Sequence, residues 1–394
     1  MNKFIKILSV AFVIIGLVVF VFFLCKSSID GYSIFTSSKT DYTVTGQFGD
    51  FVGGVIGTIF ALAGTFLIFL TFQEQAKVNK RTAFESVFFE MIRLHKENVT
   101  ELRCSRYVPS EKMTEKYENR QVMQIIFDDV VNCYREVSKF SNSKEPIDYI
   151  NSNYLVQLND IITKNKITAS PIDLARIDIA YCMVFFGVGV EGETILRELF
   201  KKKYNPEYYF KLIYFIKMKP KKSNLERFSK WKYLRGLELE KLHQVIGELY
   251  KNKSHPEKTD KISSLAAGFK MHASYEKYYG GHQFRLGHYF RHLYQSYKYL
   301  DNATFLEGNK QYSYGKMLRA QLSTYEQALL FMNSISSIGM KWEYLPEPTD
   351  NQKNCSKLIT KYNLIKNLSG NHIFGIHYKN YYPDVSYETD EYTS

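Results

Sequence analysis

Two hydrophobic runs without a charged residue lie within the first 72 residues of this 394-residue chain. They extend over Ile7–Cys25 and Phe51–Phe72, which are 19 and 22 residues long. Each is long enough to cross a hydrocarbon core of about 30 Å as an α-helix. The alternative for the first run is a cleaved signal peptide, because Lys3 and Lys6 form a short basic segment before it. However, the run is long for a signal peptide and no A-x-A-like cleavage site follows it. The sequence therefore predicts a transmembrane hairpin in residues 1–72.

The charges that flank the two runs predict the orientation of the hairpin. The connecting loop, residues 26–50, contains only two basic residues. More basic residues lie at the two outer ends, namely Lys3, Lys6, Lys77, Lys80 and Arg81. Because basic residues are retained on the cytoplasmic side, we expect both termini in the cytoplasm and the loop on the other side of the membrane. The second run also contains a G-x-x-x-G pair, Gly53 and Gly57, which predicts close packing against another membrane helix.

The rest of the chain is polar and basic. The whole chain has 52 Lys and Arg against 40 Asp and Glu, a formal net charge of +12. Part of the excess lies in residues 197–258, with 17 basic and 7 acidic side chains. Such a region can bind anionic lipid headgroups or nucleic-acid phosphates, or it is simply a lysine-rich solvated surface. The five scattered cysteines include no C-x-x-C pair, which favours reduced thiols over a disulfide framework or a zinc site.

Apolar residues recur at helical spacing through most of the polar part, so the predicted fold class is all-α, with the two-helix transmembrane hairpin followed by a large, mostly helical cytoplasmic domain. We expect a juxtamembrane helix and an N-terminal helical part in residues 73–250, and a C-terminal helical part in residues 262–382. The polar stretch 251–261 is the candidate linker between them, and residues 383–394 are expected to form a mobile tail.

The segment Gln283–Leu300 contains the candidate catalytic residues. On a helix, Arg285, His288 and His292 fall together beside an apolar stripe formed by Leu286, Tyr289, Phe290, Leu293, Tyr297 and Leu300. Arg285 and His292 are seven residues apart and so share one face. A histidine can transfer a proton and an arginine can stabilise phosphate charge, so the pair could cleave RNA without a metal.

The spacing of Arg285 and His292 resembles the R-x(4-6)-H signature of the HEPN ribonucleases, although Leu286 stands where that family commonly has a polar residue. The alternative is that these side chains cross-link neighbouring helices through hydrogen bonds. A zinc site on His288 and His292 is disfavoured, because it would need a third ligand and Tyr289 stands where a zincin has glutamate. The sequence therefore predicts no metal and no cofactor. His95, on the predicted juxtamembrane helix, is expected to pack inside the protein.

Several separated segments resemble the phage abortive infection proteins of bacteria, an AbiC-like membrane family. They are Gly46–Gln75, Phe88–Val99, Gly287–Asp301, Arg319–Ser336 and Tyr362–Tyr378. The resemblance implies defence against bacteriophage, in which an infected cell stops growing or dies before progeny emerge. It identifies no catalytic residue.

Two hypotheses follow for the mechanism. In the first, the protein senses a phage-derived or host protein trigger, and its hairpin forms homo-oligomers or perturbs the lipids of the plasma membrane. In the second, it is a membrane-tethered ribonuclease that acts on RNA through Arg285 and His292. Membrane tethering is unusual for a ribonuclease, so the first hypothesis is favoured.

Overall fold

The structure is a computed structural model that describes residues 2–30, 42–141, 143–253, 263–267, 269, 277–345, 357–370 and 372–391. It is 71% helical, which confirms the predicted all-α class with its two long apolar N-terminal helices. The chain divides into two compact units, one ending at Val87 and the other beginning at Phe88. The predicted division of the polar part at residues 251–261 stays a prediction, and residues 254–261 of that stretch lie outside the described residues.

The first unit consists of a long helix, a short helix and the part of a second long helix that precedes Phe88. Helix α1 is Asn2–Ile29, α2 is Tyr42–Phe51, and α3 begins at Gly57 after a π-helical turn over Val52–Ile56. The first and the last of these helices are long and apolar enough to cross a membrane, and only 11% of the most apolar window of each is buried. Of the predicted outside loop, residues 42–50 are helical and residues 31–41 lie outside the described residues.

Small and aromatic side chains join α1 to α3. The Ser9 hydroxyl donates a hydrogen bond to the carbonyl oxygen of Ala63 over 3.1 Å. A Cβ atom on Gly16 would lie 3.2 Å from the Phe60 ring, so this glycine permits a close approach of the two helices. Near the other end of α1 the ring of Phe23 stacks on that of Phe51, with centroids 4.2 Å apart. Large apolar side chains of both helices, such as Ile14 and Leu62, are exposed.

The described part of the second unit is a helical domain with a β-hairpin that the sequence pattern did not predict. Helix α3 ends at Thr100, and strands β1 (Arg103–Val108) and β2 (Met113–Glu118) pair antiparallel. The larger helices that follow are α4 (Arg120–Phe140), α5 (Ser152–Lys164), α6 (Pro171–Phe186), α7 (Val190–Lys201), α8 (Pro206–Lys217), α9 (Leu225–Gly236), α10 (Leu239–Lys251), α12 (Gln283–Asp301), α13 (Gly308–Arg319) and α14 (Thr324–Ile335). Short helices are α11 (Ser264–Ala267), α15 (Leu358–Lys361) and α16 (Glu388–Glu391).

The core of this domain lies where α4, α6 and α14 pack together. Two of these helices begin with a capping box, in which Ser170 pairs with Asp173 and Ser323 with Glu326. Such reciprocal bonds satisfy main-chain donors that a helix start leaves open. Tyrosine dominates the largest fully buried side chains. Buried tyrosine hydroxyls need polar partners, and many have them: the Tyr204 hydroxyl, for example, donates to the Asp178 carboxylate over 2.5 Å.

Candidate functional site

Helix α12 presents the predicted stripe to the core. All six of its apolar residues are buried, and the hydroxyl of Tyr289 donates to the Glu326 carboxylate of α14 over 2.9 Å. The helical spacing therefore predicted correctly which face of α12 is inside. Arg285, His288 and His292 lie on the border of that face, where each meets a different environment.

Arg285 is half-buried and joins the first turn of α12 to strand β1. Its Nε atom donates to the carbonyl oxygen of Arg103 over 2.8 Å, and one terminal nitrogen lies 3.3 Å from Nδ1 of His282. Its guanidinium also lies 4.2 Å from the ring centroid of Phe284. The hydrogen bond to the Arg103 carbonyl joins α12 to β1, which is the kind of contact expected of a structural cross-link.

His288 is exposed and lines two clefts. The first cleft has a volume of about 240 Å³ and is also lined by Arg285 and by Glu101, which follows the end of α3. The other, of about 670 Å³, is lined by aromatic side chains such as Phe186 and Trp342 and by polar ones such as Arg291. Of the three predicted site residues, Arg285 and His288 are thus brought to one cleft.

His292 instead faces a second histidine from a distant part of the chain. Its ring stacks on that of His95, with centroids 6.2 Å apart. His95 is 1% exposed and also contacts the ring of Tyr289, 5.0 Å away. Neither ring nitrogen of His95, nor Nδ1 of His292, has a hydrogen-bond partner among the residues that the structure describes. The packing role predicted for His95 agrees with its burial, but the absence of polar partners was not foreseen.

Burial disfavours the charged form of both imidazoles. It lowers the pKa of His95 to about 4, with further lowering from the positive charges of His292 and Arg120. Burial, followed by the charge of His288, also lowers the pKa of His292. Both rings are therefore neutral at pH 7. A neutral His292 could accept a proton, yet it does not line the two clefts that Arg285 lines in the described part of the chain. The catalytic assignment of Arg285, His288 and His292 stays a prediction.

A charged cluster beside Arg285 was missed in the sequence. Arg106 of β1 bonds to the Asp129 carboxylate of α4 and, over 2.5 Å, to the Tyr278 hydroxyl. Nε2 of His282 lies 3.8 Å from the same carboxylate. These residues come from separate elements, and no spacing in the sequence connects them.

Behind this cluster lies a buried ion pair. Lys219 Nζ is 2.6 Å from the Glu136 carboxylate and donates to the Tyr279 hydroxyl over 2.9 Å, and that hydroxyl donates in turn to Glu136. Burial lowers the pKa of Lys219 and raises that of Glu136, while their mutual attraction opposes both shifts. Every polar atom of this triad has a partner, so it is a structural element of the core rather than an open site.

Within the described ranges, no group of three or more His, Cys, Asp or Glu side chains could hold a metal ion. The Gly53 and Gly57 positions, predicted to pack against a membrane helix, face open space in a single chain. A Cβ at Gly53 would meet no described atom within 4 Å, and one at Gly57 would meet only the Val52 carbonyl oxygen, 3.6 Å away. Among the described residues, neither glycine is packed against another helix.

A model of a known protein family matches part of the chain. The family model described as "Putative phage abortive infection protein" matches residues 281–373. The matched segment is about a quarter of the chain and includes α12, α13 and α14. It confirms the resemblance found in the sequence and supports a role in phage defence. No curated protein and no solved structure matches the chain.

Proposed function

We propose that this chain is a membrane-anchored defence protein that acts in abortive phage infection as a sensor and effector, through protein interaction or membrane perturbation. The family match over residues 281–373 is the observation on which the proposal depends. The matched segment contains α12 and α14, which pack into the core of the second unit.

Anchoring by α1 and α3 in the bacterial plasma membrane, with both termini cytoplasmic, forms part of this proposal. It is supported by the length and apolar character of the two helices and by their exposed faces. The open faces at Gly53 and Gly57 support homo-oligomerisation through the hairpin, because small residues let membrane helices approach closely. The trigger would be a phage-derived or host protein.

An interaction mechanism is favoured over RNA cleavage by the geometry of α12. Arg285 is bonded to a main-chain carbonyl, and His292 is stacked on the buried His95. A nuclease would need both groups directed at one phosphate. The second unit also exposes large apolar side chains outside its core, among them Phe284 and Val190. Such side chains suit contact with a protein partner.

The test is phage challenge of bacteria that express the wild type, with survival, membrane potential and RNA integrity followed together. We expect survival of the culture, loss of membrane potential in infected cells, and intact RNA. The matched variants are His292→Ala and, as a control, His377→Ala, which removes an exposed histidine elsewhere. No protection by a well-inserted wild type would contradict the defence proposal.

RNA cleavage would give a different pattern. Protection would then be lost in a stable His292→Ala protein, and the purified wild type would cleave RNA in the presence of EDTA. A stable His292→Ala protein that still protects cells would eliminate the nuclease mechanism.

A further inference from the structure

The larger of the two clefts that His288 lines has features of a small-molecule site. It lies between the end of α6, the exposed side of α12 and the segment after α14 that contains the 3₁₀ turn Met340–Trp342. Its volume of about 670 Å³ is within the range of about 300 to 1,000 Å³ that such sites occupy. The matched family segment, residues 281–373, contributes all of the lining except two residues of α6.

The buried wall of the cleft is held in place by contacts within the domain. The indole N–H of Trp342 donates to the Asn333 side chain over 3.1 Å, and the Trp342 ring meets that of Tyr294 edge to face, with centroids 5.0 Å apart. At the end of α6, the rings of Phe185 and Phe186 also meet edge to face, 4.9 Å apart. Side chains that are already fixed lose little freedom when a ligand binds, which favours affinity.

Aromatic rings and a glycine form the more open part of the cleft. Phe186 is partly exposed, and Phe284 is 72% exposed. Gly287 lines the cleft in the middle of α12, where a Cβ would meet only the Phe185 ring among the described residues, at an ordinary contact distance of 3.6 Å. Glycine is less favourable than alanine inside a helix. Because packing does not require a glycine here, its effect is to leave the helix backbone open to the cleft.

Arg291, one turn after Gly287, brings a positive charge to the rim. Its side chain is exposed and makes no hydrogen bond or ion pair with any residue that the structure describes. Lys341 also lines the cleft, with Nζ 4.2 Å from the centroid of the Tyr294 ring. No Asp or Glu is among the described lining residues, and the carboxylate of the buried Glu343 is bonded to Thr360. A concave surface with charge of one sign attracts a ligand of the opposite charge.

We propose that this cleft binds a small aromatic anion, that is, a planar ring that carries a phosphate or a carboxylate. The ring would contact Phe186 and Phe284 beside Gly287, because aromatic rings pack on one another edge to face or offset. The anionic group would pair with Arg291, whose guanidinium can bind a phosphate or a carboxylate through two parallel hydrogen bonds. Gly287 and Arg291 are about 6 Å apart along the helix axis, so a ring and an anion joined by a short linker can reach both.

The test is calorimetric titration of the purified full-length protein, in a non-ionic detergent, with AMP and separately with indole-3-acetate. We expect saturable binding of at least one of them, with one molecule per chain, and the tighter ligand identifies the anion as a phosphate or a carboxylate. Arg291→Ala should weaken binding by about tenfold, because it removes a charge-assisted hydrogen bond. Arg291→Lys, which keeps the charge but not the planar fork, should restore binding in part. Lys232→Ala removes an exposed cation that does not line the cleft, and it should bind as the wild type does.

Three comparison ligands separate the ring from the charge. Adenosine and inorganic phosphate each contain one part of AMP and should bind more weakly than AMP. Octanoate has the charge of indole-3-acetate without its ring and should bind more weakly than indole-3-acetate. Gly287→Ala places a methyl group at the cleft and should weaken binding without lowering the melting temperature, since alanine is the better helix former.

Four outcomes would overturn the proposal. They are no binding of either AMP or indole-3-acetate up to about 1 mM, equal affinity in the wild type and a folded Arg291→Ala protein, binding of adenosine or octanoate as tight as that of its aromatic anion, and tighter binding of a single-stranded RNA than of AMP. The last result would indicate a nucleic-acid surface instead. The inference goes beyond the proposed function, and because no infected cell is involved, its failure would leave the phage-defence proposal untouched.

Discussion

The buried histidine His95 should make the stability of the protein fall as the solution becomes acidic. The residue lies well beyond the predicted span, which ends at Phe72, and its pKa of about 4 in the folded protein is below the ordinary value of 6.5. The unfolded chain therefore binds more protons between these two pKa values, so stability falls as the pH falls from about 6.5 to 4. Below pH 4 both states are protonated and the loss stops.

The magnitude follows from the difference between the two pKa values. A shift of 2.5 pKa units corresponds to about 3 kcal/mol in total, of which about 2 kcal/mol is lost between pH 7 and pH 5. At about 2 °C per kcal/mol for a domain of this size, the melting temperature should fall by about 4 °C over that interval because of His95 alone. Other groups also titrate there, so the quantity of interest is the difference between the wild type and a variant without this imidazole.

The assay is thermal unfolding of the purified full-length protein in detergent, followed by circular dichroism between pH 7.5 and pH 4.5. His95→Phe keeps a ring beside Tyr289 and His292 but cannot titrate, so its melting temperature should depend less on pH than that of the wild type. Any change in packing shifts the whole curve without changing this slope. His377→Gln, which replaces an exposed histidine, is the control and should follow the wild type. Parallel pH profiles for the wild type and His95→Phe would refute the reasoning.

Three further predictions concern backbone and membrane. Gly281→Ala should destabilise the second unit by about 2 kcal/mol or more, because this residue has a positive φ and a Cβ there would clash with the Phe186 carbonyl. Gly308→Ala, at an open helical position, is the control and should not destabilise the protein. Thermal unfolding measures both effects. If a helix of another molecule packs at Gly53 and Gly57, replacing both glycines by Leu should preserve membrane insertion and reduce phage protection. Full protection by a correctly inserted double variant would show that these glycines are not needed for such packing. Reporter fusions at the C-terminus and within residues 26–50 should report cytoplasm and exterior respectively, and an external C-terminus would contradict the proposed topology.

The sequence predicted those features that depend on local periodicity. The two uncharged runs identified the apolar helices, and a 3.6-residue period predicted the buried face of α12, because both patterns are contained in one segment. The β-hairpin escaped detection because each strand has six residues with a mixed polar pattern, and its stability comes from pairing and from contacts such as the bond between Arg285 and the Arg103 carbonyl.

Side chains brought together from distant segments could not be predicted in this way. His95 and His292 are on different helices, and each pattern alone is that of an ordinary amphipathic helix. A cleft beside Arg285 is lined by residues from β1, α4, the segment before α9 and the start of α12, so only the folded chain shows that Arg106 and Lys222 repel each other. Composition indicated that residues 197–258 are basic, but not that Lys221 and Lys222 face a cavity.

Arg285 alone cannot test the nuclease hypothesis. Removing it would also break the bond to the Arg103 carbonyl, and a loss of activity could then reflect the β-hairpin alone. His292 is the sharper position, because its ring stacks on that of the buried His95 and its Nδ1 atom has no hydrogen-bond partner among the described residues. Loss of RNA cleavage in a folded His292→Ala protein would therefore reflect the imidazole itself, whereas unchanged phage protection by that protein would leave the His95–His292 pair as a packing contact.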